Sequence, residues 1–380
     1  MTRTSINFGI VGTGHMALRM TQALLQLRGA AIVGVASGTP SRARRLVEGI
    51  GTGCAHDDIA SLLADRSVDV VYVASANAEH SATVLAALRA GKSVLCEKPL
   101  ATSVSQAREI EAAARDSGCL AMEAMWTLFL PTYRRFGELV ERQRHGGPQH
   151  LYADFGYPVL SDHDRRFVAR GPGAGVLLDR AVYPFALALK LFGPVESVTG
   201  SVDFTSQGVD QHAVVLLRHG AGSQSQIAVS LRVQLQNRVA LSSASGLITI
   251  EPPAIGAELL TSLACASAEI ESDPLVAAGF RARLGNALRR LPSLRRLNRL
   301  RRAPRLEHHS FGADPYLPML THFCELLRDG KSSSDVMPLS LSTDVLALVE
   351  LTRQLPGNRT DRAGPRAQSP NDAAIARTTA

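Results

Sequence analysis

Residues 6 to 17, INFGIVGTGHMA, constrain this chain more than any other stretch. Ile6, Phe8, Ile10 and Val11 form an apolar run of strand length, and Gly12-Thr13-Gly14-His15-Met16-Ala17 then matches G-x-G-x-x-A. Ala17, Met20, Leu24 and Leu27 recur at helical spacing directly afterwards. Strand, tight glycine turn and helix, in that order, make the first unit of a dinucleotide-binding fold. Gly12 permits the turn, Gly14 lets the backbone approach a pyrophosphate, and Ala17 lets the helix pack closely on the strand. The amino end of that helix points N–H groups at the phosphates. An ordinary glycine turn gives the same letters but not the flanking strand and helix.

The alternation continues. Strands are predicted at 6–11, 31–36, 69–74, 93–96 and 119–122, with helices at 16–27, 40–48, 57–64, 79–90 and 104–117. Such β-α alternation implies an α/β class with a doubly wound parallel sheet, here a nucleotide domain over 1–123. The rhythm then changes. Longer alternating strands at 148–160, 195–206, 211–219, 224–234 and 238–250 predict a second, α+β domain over 124–355 with an open, mostly antiparallel sheet. A last helix is expected at 339–354. The tail 356–380 is rich in Pro, Gly, Asn, Arg and Ala and is expected to be disordered.

Two further motifs carry chemistry. Val94-Leu95-Cys96 reads as a buried strand that stops at Glu97-Lys98-Pro99. A lysine at the carboxyl end of a parallel strand points into the crevice where open α/β sheets bind ligands. Pro99 fixes its own φ and stiffens that end. In the second domain, GPGAGVLLDRAVY at 171–183 is a glycine-rich loop entering a helix, with Asp179 and Tyr183 four apart on one face. Pro184 is expected to bend the helix just after Tyr183. An acid, a phenol and an amine facing one cleft can move a proton on or off an oxygen; an exposed Asp beside a core Tyr is the plainer alternative.

Charge and cysteines bound the rest. The net charge is +7, yet residues 281–305 hold ten arginines and no acid, so the remainder is −3 (7 less 10). That segment, with leucines at 284, 288, 291, 294, 297 and 300, reads as a basic insertion on the protein's own surface rather than an arm for nucleic acid or an acidic partner. Five cysteines without a C-x-x-C pair read as reduced thiols, no apolar run is long enough to span a membrane, and no signal-peptide pattern opens the chain. A cytoplasmic protein without a metal site is expected.

Together these motifs resemble the glucose-fructose oxidoreductase, inositol dehydrogenase and rhizopine-catabolism family (Gfo/Idh/MocA), over most of 5–255 and weakly over 312–355. The family's T-P-N-x-x-H stretch has its counterpart in Ser75-Ala76-Asn77-Ala78-Glu79-His80. Glu123-Ala124-Met125-Trp126-Thr127-Leu128-Phe129-Leu130-Pro131 resembles the E-A-x-W-T-R-F-x-P of dimeric dihydrodiol dehydrogenases and NADP-linked D-xylose dehydrogenases, with Leu128 in place of Arg. Arg180 stands where the family motif has an aliphatic residue.

The resemblance implies an NAD(P)-dependent oxidoreductase that moves a hydride between nicotinamide and an aldose, polyol or vicinal diol. It implies a homo-oligomer joined through the C-terminal sheet. Lys98 would hold the reacting oxygen, Tyr183 would exchange its proton with a pKa lowered by the nearby ammonium, and Asp179 would orient Lys98. Ser75, Asn77, His80, Glu97 and Lys98 join the cofactor site; Trp126, Thr127, Phe129, Arg165, Asp179 and Tyr183 form the substrate side. The second strand ends at Ser37-Gly38-Thr39-Pro40-Ser41-Arg42 without an acid to grip a ribose 2′-hydroxyl. Ser37, Thr39, Ser41 and Arg42 suit a 2′-phosphate, so NADP is expected over NAD. A cofactor-sensing regulator without activity, or a reductase of another carbonyl class, are the alternatives.

Overall fold

The computed structural model describes residues 5–143, 147–159, 171–265 and 303–357. The first sheet contains β1 (Ile6–Val11), β2 (Ala30–Ala36), β3 (Cys54–Ala55), β4 (Val70–Val73), β5 (Ser93–Cys96) and β6 (Ala121–Glu123). Their order is β3-β2-β1-β4-β5-β6, and every pair is parallel. Helices α1 (His15–Leu24), α2 (Pro40–Ile50), α3 (Ile59–Ala64), α4 (His80–Arg89) and α5 (Val104–Ser117) connect them. β4, VVYV, is buried at all four positions, because helices on both faces of a parallel sheet leave no solvent side. The strand order reverses between β1 and β4, so the ligand crevice opens at their carboxyl ends.

The second sheet runs β14-β13-β12-β11-β7-β10-β9-β8. It is built from β7 (His150–Gly156), β8 (Val195–Phe204), β9 (Asp210–His219), β10 (Gln224–Ser230), β11 (Val239–Ser243), β12 (Gly246–Ile250), β13 (Leu259–Ala264) and β14 (Arg305–His308). Only β7 with β10 is parallel; the other six pairs are antiparallel. Period-2 alternation gives the sheet two different faces. Leu151, Ala153, Val215, Leu217, Ile227, Val229, Leu241 and Ile248 point inward and are buried. Tyr152, Val214, Leu247, Leu263 and Leu306 stand exposed on the other side.

Helices α6 (Pro131–Gln143) and α7 (Val182–Phe192) lie on the inner face, with a widened π turn, Leu177–Ala181, leading into α7. The last two helices, α8 (Leu317–Arg328) and α9 (Leu339–Arg353), return to the first sheet. Phe323 of α8 meets Phe8 of β1 with ring centroids 6.5 Å apart, and both rings are fully buried. Burying each such ring contributes about 1.5–3 kcal/mol. α9 packs on both α5 and α7, and the Glu350 carboxylate accepts the Val104 N–H at 2.9 Å.

Several expectations need correction. The stretch 238–250 is not one strand but the β11–β12 hairpin, closed by Ser243 opposite Gly246. A Cβ on Gly246 would lie 2.0 Å from the Leu263 carbonyl oxygen, so only glycine lets β13 pair there. The bend expected after Tyr183 is instead the widened turn before Pro184. Proline offers no N–H to the Arg180 carbonyl, and a π turn absorbs the missing bond. The tail is not free at its start, since Val202 of β8 donates its N–H to the Pro356 carbonyl at 3.1 Å. Residues 358–380 and the arginine-rich stretch up to residue 302 lie outside the described residues. No helix among the described residues is long and apolar enough to cross a membrane.

Candidate active site

The crevice at the switch point begins with Gly12. Its φ is +116°, and a Cβ there would sit 2.3 Å from the Ala74 carbonyl oxygen. Any side chain would therefore push β1 and β4 apart. Gly14 caps the amino end of α1, and a Cβ on it would meet no protein atom within 4 Å. The space above the first turn of α1 is thus open to an anionic group, which the helix dipole and its N–H groups favour. Ala17 is fully buried beneath it.

At the end of β2, Thr13 Oγ1 lies 3.3 Å from Ser37 Oγ, and Ser37 Oγ accepts the Thr39 N–H at 3.3 Å. Thr39 caps α2 without a side-chain hydrogen bond, and Thr39, Ser41 and Arg42 are exposed. Hydroxyls and a helix amino terminus meet here, with Arg42 exposed in the first turn of that helix, residue types that suit a phosphate.

From this crevice a cavity of about 360 Å³ extends between the two sheets' units. Gly14, His15, Met16, Ser75, Asn77, His80, Glu97, Lys98, Trp126, Asp179 and Tyr183 line it. Gly12, Thr13, Ala17, Ser37, Thr39, Ser41 and Arg42 belong to the nucleotide side and do not border the cavity. Asn77 Nδ2 donates to the Gly173 carbonyl at 2.9 Å and so ties the two units together. The His80 ring nitrogens face the carbonyls of Pro99 at 2.8 Å and Ser75 at 3.2 Å. That ring joins the end of β4 to the loop that carries Lys98. Burial holds the His80 pKa below the usual histidine value, despite those carbonyls.

Lys98 leaves the end of β5. Its Nζ donates to Asp179 Oδ1 and to the Asp179 carbonyl oxygen, both at 2.8 Å. The widened turn at Leu177–Ala181 exposes that carbonyl to it. An ammonium has three N–H groups, and two are spent on Asp179. The third is available to an oxygen in the cavity. Burial pulls the Lys98 pKa down, but the Asp179 carboxylate beside it prevails and holds it above the ordinary lysine value. Lys98 is therefore a permanent cation.

The Tyr183 ring centroid is 5.1 Å from Lys98 Nζ. The expected lowering of its pKa does not occur. Burial raises it, and the pull of the Lys98 ammonium only partly offsets that. Tyr183 is consequently a protonated phenol at neutral pH. Beneath Lys98, Glu97 is buried and accepts the Tyr72 hydroxyl at 2.6 Å. Glu123 accepts the Leu100 N–H at 3.0 Å, and burial pushes its pKa up to about 7.

The substrate side departs from expectation. Trp126 borders the cavity, but Thr127 and Phe129 do not; both are buried in the turn Trp126–Phe129. A 3₁₀ turn rotates each residue by roughly 120°, which turns Thr127 away, and one full turn displaces Phe129 by about 6 Å. Phe129 instead packs on His322, with centroids 5.1 Å apart. Arg165 lies outside the described residues. The walls that sequence reasoning missed are Phe155, Tyr157, Ile255 and Tyr316. Tyr316 packs on Trp126 at 5.0 Å, and Phe155 meets the Tyr183 ring edge-on at 5.8 Å. Alternation along β7 could have placed Phe155 inward; nothing in the local sequence announces Ile255 or Tyr316. The cavity has aromatic walls, with Lys98, Asp179 and Tyr183 grouped in its lining and Ser75, Asn77, His80 and Glu97 also bordering it.

A parallel sheet with a phosphate-ready glycine turn, joined by a cavity to a second sheet, defines a nicotinamide-linked oxidoreductase. The chain belongs to the Gfo/Idh/MocA family. A family profile described as oxidoreductase family, NAD-binding Rossmann fold, matches residues 6–125, and one for the GFO/IDH/MocA C-terminal domain matches 133–249. A trans-1,2-dihydrobenzene-1,2-diol dehydrogenase of Sus scrofa is 30% identical over 253 residues, 66% of this chain and 75% of the relative. The Homo sapiens enzyme of that name is 31% identical over 255 residues, with 66% and 75% covered. Among solved structures, the 3-ketoreductase KijD10 of Actinomadura kijaniata, in complex with NADP and TDP-benzene, superposes with a TM-score of 0.75. It is 22% identical and covers 94% of this chain and 99% of its own. A levoglucosan dehydrogenase in complex with NADH and levoglucosan superposes at 0.75 with 17% identity, covering 92% and 96%. These two share the fold.

Proposed function

We propose that this oxidoreductase is an NADP-preferring dehydrogenase or reductase acting on a CH–OH group of a small hydroxylated ring, a vicinal diol or an aldose. The observation that carries this is Lys98 Nζ held 2.8 Å from Asp179 Oδ1 inside a cavity that adjoins the glycine turn. The segment 1–123 would hold the cofactor and 124–355 would shape the substrate side. Gly12, Thr13, Gly14, His15, Met16 and Ala17 would take the pyrophosphate. Ser37, Thr39, Ser41 and Arg42 would take the 2′-phosphate.

The bound nicotinamide supplies the hydride acceptor or donor. Lys98 gives its third N–H to the reacting oxygen and holds negative charge as it develops there. Tyr183 as the phenol donates its proton to the oxygen in reduction, and its minor phenolate form takes the hydroxyl proton in oxidation. Asp179 keeps Lys98 aimed. Trp126, Phe155, Tyr157 and Tyr316 offer flat apolar surface to a ring and exclude water, which favours a cyclic diol over an open-chain polyol. The related trans-dihydrodiol dehydrogenases support that order of preference.

The exposed apolar side chains of the second sheet, Tyr152, Val214, Leu247, Leu263 and Leu306, would meet a second copy of the chain. The decisive experiment is NADPH- and NADH-linked turnover on trans-dihydrodiols, aldoses and polyols, with Lys98→Ala alongside. The expected result is NADP-linked diol oxidation that falls by roughly 10²–10⁴-fold in Lys98→Ala with cofactor binding retained. Near-normal turnover of that variant on the best substrate refutes the mechanism.

A further inference from the structure

Arg180 is the largest fully buried side chain of the described residues, at 1% exposure. A buried guanidinium is costly unless its donors are matched and its charge is compensated. Its Nη1 donates to the carbonyls of Tyr157, at 2.7 Å, and Ser230. The guanidinium carbon lies 3.7 Å from the Tyr157 ring centroid and 5.5 Å from that of Phe155. Among the described residues its Nε has no hydrogen-bond partner, and it stands 3.5 Å from its ion-pair partner, Asp179 Oδ2.

That carboxylate is the one that Lys98 holds by Oδ1. Asp179 is thus bracketed by two cations, one per oxygen, and cannot rotate toward either without leaving the other. The same guanidinium grips the backbone and the ring of Tyr157, which forms part of the cavity wall.

We infer that Arg180 is a positioning residue: it fixes the Asp179 carboxylate against Lys98 and thereby sets the direction of the one lysine N–H left for substrate. The inference rests on the roles proposed above for Lys98 and Asp179. Arg180 itself does not line the cavity; a loss routed through Asp179 should vanish in an Asp179 variant, whereas a loss routed through the Tyr157 wall should persist there.

A double-mutant cycle tests this. Arg180→Met, which keeps an unbranched chain and removes the charge, should lower kcat about tenfold and leave the dissociation constant for NADPH within about twofold. Arg180→Lys, which restores the charge, should recover part of the loss. In the Asp179→Asn background the same Arg180→Met change should have no further effect on kcat, because residues that act as a unit are non-additive. Equal losses in both backgrounds, or unchanged kcat in Arg180→Met, overturn the inference while leaving the proposed chemistry standing. If Asp179→Asn alone leaves kcat unchanged, the proposed chemistry fails and the inference with it. Should Arg180→Met not fold, the comparison of Arg180→Lys in the two backgrounds decides in the same way.

Discussion

Glu123 ends β6 beneath the loop that carries Lys98, and its Oε1 accepts the Leu100 N–H at 3.0 Å. Burial raises its pKa from 4.5 to about 7. Glutamine at this position keeps an acceptor for Leu100 and removes the ionisation. Between those two pKa values the folded protein binds a proton that the unfolded chain has lost, so stability is full below about pH 4.5 and declines as pH rises to about 7. At about 1.36 kcal/mol for each pKa unit, a shift of about 2.5 units costs about 3 kcal/mol. With roughly 2.1 cal/mol/K of unfolding entropy per residue over about 300 residues, that is about 5 °C of melting temperature. Glu123→Gln should therefore match the wild type at about pH 4 and melt about 5 °C higher at about pH 8. Calorimetric melts of both proteins at each pH measure it, and all other carboxyls cancel in the difference. Parallel melting curves for the two proteins across this range would show that Glu123 is not a buried acid of this kind.

Tyr183→Phe should lower kcat by roughly 10²–10⁴-fold with cofactor affinity retained. Because burial raises the Tyr183 pKa, wild-type diol oxidation should still be rising above neutral pH, and a pH profile that levels off at acidic pH refutes this. Gly12→Ala places a Cβ 2.3 Å from the Ala74 carbonyl oxygen and should abolish NADPH binding measured by fluorescence. Arg42→Ala should weaken NADPH binding about tenfold and spare NADH; an equal loss for both coenzymes excludes a 2′-phosphate contact. Deleting 281–305 with a short linker should leave turnover near wild type and lower the isoelectric point, and a loss of all activity would place the segment in the site.

Much of the first sheet was legible because helices and parallel buried strands switch between two periods, and each switch leaves a mark. β3, with two residues, is too short to leave one. The second sheet was read less well. β13, LLTSLA, has no alternation that separates a strand from a helix, and its partner β14 lies some forty residues further on. Lys98, Asp179 and Tyr183 were visible as motifs, and the structure brings them to one cavity. Their environment was not visible, since burial is a property of what surrounds a side chain and not of its neighbours in sequence. That is why the Tyr183 pKa was expected on the wrong side of its ordinary value. The Asp179 carbonyl's bond to Lys98 likewise depends on the widened turn, which answers to Pro184 and to the Leu177 N–H held by Asp210 at 2.7 Å.

The return of α8 and α9 to the first sheet has a mechanical meaning. The chain leaves the nucleotide unit after β6 and comes back before α8, and beyond α9 it meets β8 again at Pro356, so the two halves are tied at more than one place. Phe323 against Phe8 and Glu350 against Val104 anchor the returning helices. A single cut between β13 and β14 would therefore leave α8 and α9 still held on the nucleotide unit by these contacts, as a non-covalent fragment complex.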